Sequence, residues 1–149
     1  MIQRKQTLFL IAVFIISIVI LFVPFIYISQ EPKMIWEVSL LPILSFGMLN
    51  SNIYIPMVLN FLVLSLSLIT IFQFKKRPLQ YKVSNLLALL NVFIIGLFFL
   101  LPYMKEGFTG TVSFTYGAFL PILSIVCSFF AAHFIKKDEQ LVRSADRIR

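Results

Sequence analysis

Phe74 to Tyr103 reads FKKRPLQYKVSNLLALLNVFIIGLFFLLPY. Four cations, Lys75, Lys76, Arg77 and Lys82, crowd its first nine residues, and the 21 residues from Val83 to Tyr103 then pass without a formal charge. A helix of that length spans about 30 Å at ~1.5 Å per residue, the thickness of a bilayer's hydrocarbon core. A Lys, Arg or Asp at its centre would cost about 2.5–3.5 kcal/mol on insertion. The same reading applies outward along the chain. Leu8–Ile28, Pro56–Phe74 and Gly117–Ile135 run 21, 19 and 19 residues without a formal charge.

Composition agrees. Of 149 residues, 60% are hydrophobic and 13% charged, with a mean hydropathy of +0.97. A soluble domain carries about a quarter charged residues. One core cannot hide this much apolar surface, so the solvent is lipid. The expectation is one all-α integral membrane domain over residues 1–149, a bundle of four transmembrane helices. The first run follows Arg4 and Lys5 like a signal sequence, but it is too long and lacks a small-x-small cleavage site, so a retained anchor is expected. Pro24 inside it predicts a kinked or unwound outer end.

Eleven of the 13 cations fall on one side of this arrangement: Arg4 and Lys5, the Lys75–Lys82 loop, and the tail from Lys136. The other side holds Lys33 and Lys105 beside Glu31, Glu37 and Glu106. The positive-inside rule therefore puts both termini in the cytoplasm. The net charge of +7 is a topology signal, and nucleic acid is not an expected partner. Trp36, Tyr27, Tyr54, Tyr103 and Tyr116 gather toward the opposite interface, where amphipathic rings settle. There GTVSFTYG (Gly110–Gly117) alternates Val112, Phe114 and Tyr116 with polar residues, a period-2 signal. Either it pairs with WEVSL (Trp36–Leu40) in a small external β-hairpin or sheet, or it lies irregularly on the membrane surface.

Ionisable groups at membrane depth would mark an ion path or catalysis. The spans carry none near a midplane. His133, the one histidine, lies about a turn from Lys136, and Cys127, the one cysteine, sits in an apolar run. No nucleophile with its base, zinc-ligand pair or glycine-rich phosphate loop is present. Catalytic, metal and cofactor sites are thus expected to be absent.

Uncharged polar residues carry more information. Counted outward from Pro78, Ser67 comes level with Asn91 near the midplane, so Asn91 is expected to bond across to Ser67 or to a backbone carbonyl. Ser84, Ala88 and Asn91 form a stripe on that face. These residues read either as helix–helix glue or, with Asn60, as the polar path of a small transporter or channel. Gly117, Pro121, Ser124, Ser128 and Ala131 recur at spacings of 4, 3, 4 and 3, a small-residue seam that lets helix backbones approach. In the tail, Leu141, Ala145 and Ile148 fall at helical spacing, with Glu139–Arg143 and Asp146–Arg149 as favourable pairs. That predicts an amphipathic cytoplasmic helix extension, lying along the inner leaflet or on a partner.

The start MIQR (Met1–Arg4), the central IFQFKKRPLQYKVSNLLALLN and the tail KKDEQLVRSADRIR together resemble the small bacterial membrane proteins of domain-of-unknown-function family 4293, typical of Bacteroidota. The family's central element usually runs Phe-Lys-Asn-Arg, where this chain has Phe74-Lys75-Lys76-Arg77. The resemblance implies four spans in a bacterial cytoplasmic membrane and supplies no activity or cofactor. The function expected is a non-enzymatic accessory or scaffold subunit. Its contact residues would be Arg4, Lys75, Arg77, Asp138, Glu139, Arg143, Asp146 and Arg147. Its partners would be anionic inner-leaflet lipid and other membrane subunits or a second copy.

Overall fold

The computed structural model describes residues 5–30, 34–40, 54–73, 76–104 and 111–146. Four helices dominate it: α1 (Lys5–Phe22), α2 (Tyr54–Phe72), α3 (Arg77–Leu100) and α4 (Leu120–Asp146). All four are long and apolar enough to cross a membrane, with mean hydropathies of 2.1 to 2.4 in their most apolar stretches. They form an up-down ring in which α1 packs on α2, α2 on α3, α3 on α4, and α4 closes on α1. Phe9 of α1 stacks on Phe134 of α4 with centroids 5.5 Å apart, so the N-terminal end of α1 and the C-terminal part of α4 share one end of the bundle.

The helices meet along a seam written in alternating steps of three and four residues. The buried positions are Gln6, Leu10, Val13, Ser17 and Ile20 on α1, and Pro56, Asn60, Val63, Ser67 and Thr70 on α2. On α3 they include Gln80, Ser84, Leu87, Asn91, Ile94 and Phe98. On α4 the run Pro121, Ser124, Ser128, Ala131 and Ile135 continues from the buried Gly117. The expected small-residue seam is therefore in the interior. The opposite faces carry large exposed side chains such as Val58, Phe93 and Phe129, the surface that lipid covers.

Helix boundaries differ from the extents of the apolar runs. α1 stops at Phe22, not Ile28, because Pro24 cannot donate to a helical carbonyl and the chain then turns into a strand. α3 begins at Arg77 rather than Val83, with Pro78 in its first turn, where a missing N–H is harmless. Lys82 thus lies on the helix. An apolar run measures membrane depth, while the helix is free to continue past it.

At the far end, β1 (Ile26–Gln30) pairs antiparallel with both β2 (Met34–Val38) and β3 (Thr111–Phe114), giving the order β2-β1-β3. The expected sheet exists, but WEVSL and GTVSFTYG do not pair with each other. Both flank a central strand whose first three residues, Ile26–Ile28, fall in the apolar run read as the first span. In β3 Thr111 and Ser113 are exposed while Val112 and Phe114 turn inward, and Phe114 meets Phe99 at 4.6 Å. Phe25 stacks on Phe98 at 4.1 Å, tying sheet to bundle.

The joint is tight. Thr115 Oγ1 donates to the Pro24 carbonyl, and the Thr115 N–H donates to the Phe25 carbonyl at 3.2 Å. A Cβ on Gly117 would overlap the Pro24 carbonyl oxygen and come within 2.9 Å of Val23 Cγ1. Glycine is required here by close approach. Gly96 has nothing within 4 Å of the same construction. Gly117→Ala is therefore expected to lower stability by about 1–3 kcal/mol, the range for overpacking, with Gly96→Ala neutral, as measured by unfolding the purified variants in mixed detergent.

Candidate functional site

Two regions gather polar side chains: a layer in the middle of the bundle and the charge-rich end.

The layer follows from four cross-helix anchors. Asn60 Nδ2 donates to the Ser17 carbonyl at 2.9 Å, joining α2 to α1. Gln80 Nε2 donates to the Thr70 carbonyl at 3.1 Å, which sets α2 against α3. Ten residues back from Thr70 is Asn60, and eleven on from Gln80 is Asn91. Arg77 reaches Asp138 across α3 and α4; fourteen residues on from the first is Asn91, and fourteen back from the second is Ser124. Phe9 contacts both Phe130 and Phe134, which brings Ser17 to the level of Ser124. Ser17, Asn60, Asn91 and Ser124, one from each helix, thus share a level, and each is 0% exposed.

Ser67 belongs elsewhere. The Gln80–Thr70 contact sets it opposite Ser84, one turn and more from Asn91. It donates to its own helix at the Leu64 carbonyl, 2.8 Å away. Asn91 Nδ2 donates to the Leu87 carbonyl at 2.8 Å, so of the two expected partners it takes a backbone carbonyl and not Ser67, and that carbonyl lies on its own helix. The count from Pro78 placed the turn too late, since α2 ends at Phe72 and α3 starts at Arg77. Ser17, Gln6, Thr70 and Gln80 were not singled out in the sequence; their three-and-four spacing was the signal that locates them.

The layer makes the bonds that backbone carbonyls offer and leaves others open. Ser17 Oγ donates to the Val13 carbonyl and Ser128 Oγ to the Ser124 carbonyl. Asn60 Oδ1, Asn91 Oδ1 and Ser124 Oγ have no hydrogen-bond partner among the described residues. Two amide oxygens and a hydroxyl can accept hydrogen bonds from, or solvate, a small polar species. They cannot act as an acid, base or strong nucleophile at neutral pH.

At the charge-rich end, Arg77 opens α3 and forks onto Asp138: Nη2 lies 3.9 Å from Oδ2, and Nη1 donates to the backbone carbonyl at 3.4 Å. With both side chains partly exposed, such a pair contributes at most about 1 kcal/mol. Its value is positional, holding the start of α3 on the C-terminal third of α4. Glu139 is half-buried beside it. Of the other expected contact residues, Arg4, Lys75 and Arg147 lie outside the described residues, as do the side chains of Arg143 and Asp146. His133 is exposed and packs edge-on to Phe134. Among the described residues no three of His, Cys, Asp and Glu come together as metal ligands.

α4 runs from Leu120 through Asp146 without a break, so the described part of the tail continues the fourth span. Its predicted helical spacing is present to Asp146.

A family model described as domain of unknown function (DUF4293) matches residues 2–148. No curated protein matches the chain. For the polar layer the expected outcome of substitution is small. Asn60→Leu removes the one described side-chain bond from α2 to α1 and should cost about 0.6 kcal/mol, not above ~1.7. Asn91→Leu removes only an intrahelical bond and should cost less, with steric-trapping measurements in bicelles as the check.

Proposed function

The chain belongs to the family described as domain of unknown function (DUF4293), and from that premise we propose that it is a non-enzymatic accessory or scaffold subunit of a larger assembly. We place it in the bacterial cytoplasmic membrane with its charge-rich end facing the cytoplasm. The distribution of Lys and Arg supports that orientation.

The observation that carries the reading is the reach of α4. Lys5 of α1 comes level with about residue 138 of α4, so α4 runs about eight residues, roughly 12 Å, beyond it. This extension presents Leu141 at 60% and Val142 at 42% exposure amid Lys136, Lys137, Asp138 and Glu139. A helix with an apolar stripe and mixed charges suits the groove of a partner, where the apolar residues anchor and the charges select. Co-purification from native membranes in mild detergent tests this. A partner subunit or second copy should be recovered with the wild-type chain and lost with Val142→Glu, which leaves the bundle core untouched. A wild-type chain that runs alone at monomer size overturns the proposal.

A second reading, a small transporter or channel, draws on the open oxygens of Asn60 and Asn91 and the Ser124 hydroxyl in the middle of the bundle. Ser67, a level away, extends the polar seam toward the charged end. Solute or ion flux into vesicles carrying the purified chain, abolished by Asn91→Leu, is the result that would favour it.

A further inference from the structure

A cavity of about 250 Å³ opens between the start of α1 and the C-terminal third of α4, lined by Lys5, Gln6, Phe134, Lys137, Asp138 and Leu141. We propose that it binds a phosphate group, with an anionic phospholipid headgroup as the source that its position favours. The inference stands independently of the subunit reading.

Four observations converge on a phosphate. Two lysines, Lys5 and Lys137, line one hollow from different helices. The Asp138 carboxylate on its wall faces the Arg77 guanidinium, so the lysines are not its sole counter-charges. The cavity lies beside Lys5, where the described part of α1 begins, and the dipole of an 18-residue helix favours an anion toward that end. Gln6 adds the decisive feature. The residue lines the cavity and is 3% exposed, yet its Nε2 has no hydrogen-bond partner among the described residues. A buried amide donor left unmatched is costly, and an acceptor oxygen at this wall satisfies it.

Depth and wall chemistry select the lipid. Phe134 sits at the apolar end of the fourth span, and the first cations of the tail, Lys136 and Lys137, follow within one turn. The lysines therefore lie at headgroup level, where stems stay in the apolar zone and ammonium groups reach outward. Phe134 gives the hollow an apolar flank on its membrane side, which suits a phosphodiester with attached acyl chains better than a bare ion.

The full-length chain in nanodiscs of equal phosphatidylglycerol and phosphatidylcholine content, released and read by native mass spectrometry, tests the assignment. One phosphatidylglycerol should be retained per chain in preference to phosphatidylcholine. Lys5→Gln and Lys137→Gln should each lower that preference about fivefold, and Gln6→Leu should lower it without any change of charge. Lys136→Gln, on the same helix but off the cavity wall, should leave it intact. Equal melting temperatures of all variants in pure phosphatidylcholine would show that the fold is unaltered. In a parallel arm, inorganic phosphate is titrated against the delipidated chain in neutral detergent. Stabilisation there by phosphate, sensitive to Gln6→Leu but without lipid preference, keeps the phosphate site and assigns it to a free anion. A lipid preference that falls as much with Lys136→Gln as with Lys137→Gln is diffuse surface attraction and overturns the proposal. So does the absence of both lipid preference and phosphate stabilisation.

Discussion

Inside hydrocarbon, burying one more leucine gains a helix little, because lipid tails are as apolar as the side chain. Helices associate there by fitting closely and by giving polar groups somewhere to go. The seam of this bundle meets both conditions at once. Its positions step by three and four, and they hold Gly117, Ser124, Ser128 and Ala131 on one helix and Ser84, Ala88 and Asn91 on its neighbour. Small side chains let α3 and α4 approach, and hydroxyls fold back onto carbonyls of their own helices, as Ser84 does to Gln80 at 2.9 Å. The large residues Phe93, Phe99 and Phe129 are left to the outside. The usual pattern of a soluble bundle is inverted, and the solvent is the reason.

The ends of the bundle solve separate problems. At one end Pro24 breaks the first helix, and its freed carbonyl is taken by Thr115 while Gly117 passes beneath it. The chain then pairs its backbone in a three-stranded sheet and does not expose it at the interface. At the other end charge replaces packing: Arg77 holds Asp138, and Lys5 and Lys137 face a shared hollow. The proposed contacts with partner and lipid both lie at this second end, where water and headgroups allow polar recognition.

Between them, Ser17, Asn60, Asn91 and Ser124 place one polar residue from each of the four helices at one level. Only the Asn60 to Ser17 bond among their described contacts crosses from one helix to another. A bond of this kind adds little stability in a membrane. Its larger effect is on register, since sliding one helix by a turn would carry Asn60 away from its acceptor and into an apolar level.

The four spans and the inward seam of α4 could be read from the sequence, because each depends on local quantities: run length, charge and residue spacing. The strand character of Thr111–Phe114 was visible for the same reason, in its alternation. The contacts that join distant segments were not. Pro24 announced a disturbance in the first span, but nothing local says that residues 26–30 become the centre of a sheet between strands from two other loops. Ser67 and Asn91 were both marked as interior, yet their relative level hinged on where α2 ended and α3 began, and an error of a few residues moves a helix position by a full turn. The Arg77–Asp138 pair and the Lys5–Lys137 cavity bring together residues 61 and 132 positions apart. One-dimensional pattern determined what each segment of this chain is and which face it hides. Which residues meet was decided only in the tertiary structure, by the register at which the helices lock.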